Sequence, residues 1–454
     1  MATTRLTRTV GTPTLATKYT FSFWVKRAKL TYSDAFMVDG RVDASNRFKI
    51  AFQSVDKLEI WNSHGGSDTF SINTNRQFRD VHGWYHIVLA VDTTDATAGD
   101  RQKLYINGVR ETSFASSGTP SQNDANNVIQ ENGATINIGA YYDNSYGFEG
   151  IMTHFHFIDG TAYAPTVFGS TDATTGQWKI NTAPTVTYGN NGFFILKNAG
   201  SVTDQSGNSN NFTVANGTLT NTEDNPDNVF PTMNPLIPGN SALTFTNGNL
   251  HNGDQSPNNW QAIGGTMAAN AGKYYWEYKI ENVWGSTSNT THRHGIANLA
   301  STLNNQPGSG DVAWTDDPYA IGWQNSNGVR YNGSVTMTSE FGTYVATDIL
   351  MFAMDLDNNK LYFGKNGTWQ NSGNPTSGST GTGAYSIPDL GKGGIWAPYS
   401  ETKYGSDKVA WNMGNGYFKS TVISSEGTNA SNLGKFEYDV PTGYCALCTK
   451  GLNE

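Results

Sequence analysis

Residues 19–25 read YTFSFWV, with Phe21, Phe23 and Val25 at every second position. A period of two places those three side chains on one face of an extended strand, so the stretch is a half-buried β-strand. The same alternation recurs outward from it, at Leu104 and Ile106, at Ile136 and Ile138, and at Leu361 and Phe363. The connections between such stretches include Asn107-Gly108, Asn327-Gly328, Asn332-Gly333 and Asn366-Gly367. These pairs tolerate the positive φ that tight hairpins demand. No capped amphipathic stretch of helical length stands out. Charged residues make up 15% of the chain, against roughly 25% in an average domain, and glycine contributes 50 residues, a profile of turns and strands. The 12 Trp, 22 Tyr and 22 Phe supply cores from a few large rings. Short strands joined by such turns predict an all-β chain of antiparallel sandwiches, in which stacked sheets hide their edges.

At roughly 150 residues per domain, the 454 residues predict two or three domains. Composition shifts near residue 182, where Asn, Thr, Asp and Gly crowd together and Pro226, Pro231, Pro235 and Pro238 interrupt any strand. The expected organisation is therefore a sandwich over residues 1–183, a connector over 184–240 and a second sandwich with a C-terminal tail over 241–454. Phe193 to Leu196 within the connector form a short strand-like run that needs burial. The net charge of −9, with no basic run, argues against nucleic acid. The longest apolar run, Ile349 to Met354, falls far short of the ~20 residues of a membrane span, and the N-terminal residues lack the apolar core of a Sec signal. Only Cys445 and Cys448 occur, as expected of a protein folded in a reducing cytoplasm.

YTFSFWV, GWYHIVLAVD at 83–92, KLYINGVRET at 103–112, TINIGA at 135–140 and FEGIMTHFHFIDG at 148–160 resemble, in order and spacing, the laminin-G-like branch of concanavalin A-like domains. KYYWEYKIE at 273–281, HGIAN at 294–298, YAIGW at 319–323, LYFGKNGTW at 361–369 and IWAPYS at 395–400 resemble a SPRY domain, also a concanavalin A-like sandwich. The connector and the tail FEYDVPTGYCALC at 436–448 look like segments of virion proteins of marine tailed phages. The resemblance implies a non-enzymatic virion protein, a tail fibre or head decoration made in the host cytoplasm. Its implied partners are host-surface glycans and other virion subunits, in a homo-oligomer such as a trimer or ring. A purely structural decoration protein without sugar binding is the alternative, and a glycan hydrolase is disfavoured.

Several residue groups could carry chemistry. Glu277-Tyr278-Lys279-Ile280-Glu281 approximates a glucanase strand, yet Lys279 occupies the place of the central Asp. Positions i and i+4 also lie roughly 13 Å apart along a strand, against the 5 to 5.5 Å or so of a retaining pair, so these charges are expected on a solvent face. His154 with His156, and His292 with His294, have a spacing that puts both rings on one strand face, but no third metal ligand is evident, and the first pair is expected under a layer packed on the far side of its strand. Cys445 and Cys448 read as tail packing. Laminin-G-like domains often hold calcium at a rim, which makes Asp143, Asn144 and Glu149 the candidate ligands; the acidic pair many relatives carry after the last-strand glycine is replaced here by Ile151 and Met152. Sugar binding needs an aromatic face with fixed polar groups beside it. Two loops have that composition: Tyr141, Tyr142, Asp143, Asn144 and Tyr146, and Trp314, Asp316, Asp317 and Tyr319.

Overall fold

A computed structural model describes residues 4–31, 33–197, 201–236, 243–253, 260–283, 292–299, 320–325, 328–331, 334–336, 341–389 and 394–453. The chain is all-β and folds as two compact units. The first runs through Asn221 and includes Asn225–Asp227; the second comprises Thr222–Asp224 and the chain from Asn228 onward. The stretch 184–240, read as a connector, is thus divided between them. No helix among the described residues is long and apolar enough to cross a membrane.

Among the described residues the first unit contains sixteen strands. They are β1 (Arg5–Thr9), β2 (Lys18–Arg27), β3 (Ala35–Arg41), β4 (Arg47–Phe52), β5 (Lys57–His64), β6 (Ser67–Gln77), β7 (Tyr85–Asp92) and β8 (Gln102–Ile106). There follow β9 (Val109–Arg110), β10 (Phe114–Gly118), β11 (Thr135–Ile138), β12 (Gly150–Asp159), β13 (Gly169–Thr171), β14 (Trp178–Ile180), β15 (Phe193–Ile195) and β16 (Thr213–Asn216). One sheet has the order β10-β6-β5-β4-β3-β11-β1-β16 and the other β15-β12-β2-β7-β8-β9. Their inner faces meet in one aromatic core, where Phe21 stacks on Phe48 across the sheets at 5.7 Å and, within the six-stranded sheet, Phe23 stacks on Phe155 at 4.5 Å. The Phe193 run is β15, paired to β12 at Phe155 to Phe157.

The outer face of the six-stranded sheet is covered as well. Tyr163, Phe168, Val186 and Tyr188 pack over Val88 and Ile158. A bulge in β12 between Thr153 and His156, with His154 at φ 48°, lets both histidines sit outside the core. His156 stacks on Phe194 at 3.9 Å and shares a hydrogen bond with the Tyr188 hydroxyl at 2.9 Å. His86 lies between the rings of Trp24 and Trp178 and accepts from the Trp178 indole at 3.0 Å. Burial pushes His86 down to about 3 and His154 to about 4, so both rings are neutral packing elements.

Among the described residues of the second unit, a nine-stranded and a six-stranded sheet enclose a core of Trp276, Tyr278, Trp323, Phe352, Phe363 and Trp411. The Asn366-Gly367 hairpin joins strands Lys360–Lys365 and Thr368–Trp369; residues 327, 332 and 333 of the two neighbouring hairpins lie outside the described residues. A polar chain crosses this core: Asp407 Oδ1 lies 3.1 Å from His292 Nε2, His292 Nδ1 lies 3.3 Å from His294 Nε2, and His294 Nδ1 shares a hydrogen bond with Ser400, which accepts from Trp411 Nε1.

Glu277 corrects the solvent-face expectation, for it is fully buried. The C-terminal tail covers it: its carboxylate accepts from the backbone N–H groups of Glu437 at 2.9 Å and Tyr438 at 2.8 Å, from the Tyr275 hydroxyl and from the Asn412 amide. Desolvation outweighs these donors and pushes Glu277 up to about 7. Glu281 on the same strand is half-buried. Cys445–Ala446 adds a short parallel strand beside Tyr274 and Tyr275, which buries both cysteines. Truncating Glu277→Ala removes the acceptor of four hydrogen bonds, which predicts a loss on the order of 3 kcal/mol or more. Chemical denaturation and limited proteolysis check this: the variant is expected to be cut within residues 424–440, and unchanged cleavage with a loss under ~1 kcal/mol contradicts the tail-lock.

Candidate functional site on the polar face of the first sandwich

With one sheet covered on both sides, the outer face of the eight-stranded sheet is where side chains of the first unit remain available. Because strand residues alternate, Phe48, Ile50, Leu58 and Ile60 entering the core send Arg47, Lys49, Glu59 and Trp61 outward. Strand register then sets Asn137, Asp39, Lys49, Trp61 and Ser71 side by side in one row. Arg41 faces Arg47 in a flanking row, and Glu59 faces Asn73 in the other. A pocket of about 380 Å³ lies among Arg47, Lys49, Glu59, Trp61, Asn73 and Ser116. The Trp61 ring is half-buried with the Arg47 guanidinium 5.5 Å from its centroid, and Lys49 pairs closely with Glu59.

The loop after β11 closes one side of this face. Its tip is a turn in which Asn144 N–H donates to the Tyr141 carbonyl, and the Phe36 N–H donates to the Tyr146 carbonyl and ties the loop to β3. Tyr141 packs on Phe36 at 5.1 Å and accepts from Arg41 Nη1 at 3.1 Å. Arg41 lies 4.1 Å over the Tyr142 ring, and Arg47 lies 5.2 Å from that of Tyr141. Tyr141 and Tyr142 therefore join the sheet residues in one aromatic and cationic surface. Tyr146 packs edgewise on Tyr141 and is 43% exposed, as Tyr142 is at 42%.

Each of the proposed calcium ligands has a contact of its own. Asp143 Oδ1 accepts from the backbone and hydroxyl of Ser145, Asn144 Oδ1 accepts from Arg5 Nε at 2.9 Å, and Glu149 lies 3.6 Å from Lys29. A cation there would stand against Arg5 and Lys29, so these oxygens do not fit a calcium cage. Among the described residues no group of three or more His, Cys, Asp or Glu side chains is arranged to hold a metal. Trp314, Asp316, Asp317 and Tyr319 lie outside the described residues.

Beneath the loop sits Asp39, fully buried, accepting from Asn137 Nδ2 at 3.0 Å. Burial raises it to about 6 against the pull of Asn137, Arg47 and Arg41. Asn137 in turn accepts from Arg5 at 2.7 Å, so β1, β11 and β3 are cross-linked under the site. Trp61, Arg41, Arg47, Lys49 and Glu59 did not emerge from the sequence as site residues. The signal was present in the alternation of KLEIW at 57–61, whose outward positions are Lys57, Glu59 and Trp61.

A family model, Laminin_G_3, described as the Concanavalin A-like lectin/glucanases superfamily, matches residues 4–168, the span that holds β1 to β12. No match was found among curated proteins. Similar solved structures include the SPRY domain of human HERC1, at 15% identity over 39% of this chain and 96% of that chain, TM-score 0.30. Another is the heptameric SAP-like pentraxin of Limulus polyphemus, at 15% identity over 36% and 71%, TM-score 0.27. Domain 4 of the arabinanase AbnA from Geobacillus stearothermophilus, solved with arabinotriose, is similar at 21% identity over 33% and 64%, TM-score 0.25.

The raised Asp39 makes a signed prediction. A carboxyl near 4 when unfolded and about 6 when folded stabilises fully below pH 4, and that contribution is lost as pH rises through 6. Asp39→Asn removes the dependence while keeping an acceptor for Asn137. It is expected to raise stability by about 1 to 3 kcal/mol at pH 7.5 and to leave it nearly unchanged at pH 4. Denaturation curves at the two pH values decide, and equal effects at both contradict the assignment.

Proposed function

We propose that the chain is a non-enzymatic surface protein of a tailed-phage virion whose first sandwich binds host-surface glycans on the polar face of its eight-stranded sheet. The observation that carries the glycan reading is the row of fixed polar side chains beside the Trp61 ring, with Tyr141 and Tyr142 at its margin. A sugar ring presents a C–H face that stacks on an aromatic and hydroxyls that need positioned donors and acceptors. Trp61 supplies the first requirement, and Lys49, Glu59, Asn73 and Ser116 around the pocket supply the second. The match of residues 4–168 to a lectin and glucanase superfamily supports the same reading. The virion assignment rests on the resemblance of the connector and tail to phage segments. In a virion, repetition of a weak site raises avidity by a factor on the order of 10² to 10⁴, and closed symmetry suits a trimer or ring. The non-enzymatic reading is supported by Glu277, which is locked under the tail, and by Glu59, which is paired with Lys49.

Binding of the purified protein to host cells and their extracted polysaccharides tests this. Trp61→Ala is expected to weaken binding at least tenfold, about 1.4 kcal/mol, with unfolding unchanged. Binding is expected to survive EDTA, since the Asp143 loop oxygens are already engaged, and no reducing sugar should be released. Antibodies to the chain should label intact particles. Failure to bind when presented multivalently would leave a structural decoration role instead.

A further inference from the structure

The polar face carries two cations in an unusual placement. Arg41 and Arg47 are paired directly across β3 and β4, where like charges repel. Neither forms an ion pair among the described residues, whereas neighbouring Lys49 is matched by Glu59 and by Asp34 at 3.7 Å. Arg47 Nε is shielded from solvent without a hydrogen-bond acceptor among the described residues. Of the nearby carboxylates, Asp43 accepts from Ser45 and Asn46 in its own turn, Asp143 accepts from Ser145, Asp39 lies buried with Asn137 and Glu59 pairs with Lys49, while Asp68 lines the pocket with Arg47 without forming an ion pair among the described residues. The two guanidiniums are held in place by rings, Arg41 over Tyr142 and Arg47 beside Tyr141 and Trp61. Stacked arginines keep their planar donors aimed and available for an oxyanion. The chain as a whole is negative, so this is a local site and not a general attraction for polyanions.

We propose that Arg41 and Arg47 form the anion subsite of this glycan face and receive an oxyanion substituent, a carboxylate or a sulfate ester, of a sugar ring stacked at Trp61. The proposal rests on the glycan reading and names the substrate class: acidic saccharides.

The test uses the full chain at fixed ionic strength against matched pairs of polysaccharides: polygalacturonate with its methyl ester, alginate with its carboxyl-reduced form, and dextran sulfate with dextran. At least one acidic member is expected to bind tenfold or more tighter than its neutral partner, and which pair shows the difference tells carboxylate from sulfate. Arg41→Gln and Arg47→Gln are expected to remove most of that difference, with thermal unfolding confirming the fold. Trp61→Ala should weaken both members of the pair. Equal binding of acidic and neutral partners, lost in Trp61→Ala, overturns the anion subsite while glycan binding stands. An acidic preference that survives both arginine substitutions also overturns it. No binding to any polymer brings down the glycan reading and this proposal together.

Discussion

The aromatic seam between the two sheets of the first unit, where Phe21 meets Phe48, constrains everything else in that sandwich. Once a strand commits alternate residues to a seam, its remaining positions have no choice but the opposite face. In β4 and β5 the inward residues are Phe48, Ile50, Leu58 and Ile60, so Arg47, Lys49, Glu59 and Trp61 must face out. The same rule puts Trp24 and His86 outside the other sheet. There the chain folds back over them with Phe168, Trp178 and Tyr188, and the leftover face becomes a second core. The two outer faces of one sandwich thus have opposite fates, and only the eight-stranded one presents chemistry.

Much of this was legible in sequence. The period of two at Phe21, Phe23 and Val25 and at Ile136 and Ile138 identifies strands because packing against a sheet demands it. Asn107-Gly108 marks a hairpin because both residues take positive φ, 48° and 78°. The loop tyrosines were found because aromatic and amide residues crowd there. Trp61 was missed for a physical reason: a tryptophan beside Ile60 looks like core until the register shows which of the two points inward. Non-local burial was hidden too. Nothing near Glu277 in the chain announces that residues 437 and 438 donate to it. The β12 bulge between Thr153 and His156 has no local signature either, although the alternation of Phe155 and Phe157 already places the two histidines on the far face.

The second unit shows the same economy with a different material. Its core is larger in tryptophan, and it threads Asp407, His292, His294 and Ser400 between the rings. A buried polar chain of this kind is stable only when each member has its partner, and it penalises any packing that breaks the sequence of contacts. Desolvation and the neighbouring His292 hold His294 well below the usual imidazole range, so it stays neutral and acts as a spacer between donor and acceptor. The chain of Asp, His and Ser resembles a catalytic relay in composition only. Ser400 already accepts from Trp411, and the whole array is sealed from solvent.

The polar face of the first unit is built on the opposite principle. Its deep layer is neutralised, with Asp39, Asn137 and Arg5 linked beneath the surface, while its upper layer holds Arg41 and Arg47 opposed and stacked on rings. Rings restrain a guanidinium without consuming all of its donors, so side-chain entropy is lost at folding and not at binding. A carboxylate in the same place would restrain the arginine and neutralise it together. The face is therefore rigid and incompletely satisfied at once, the combination that distinguishes a surface built to receive a charged ligand from one that merely remains exposed.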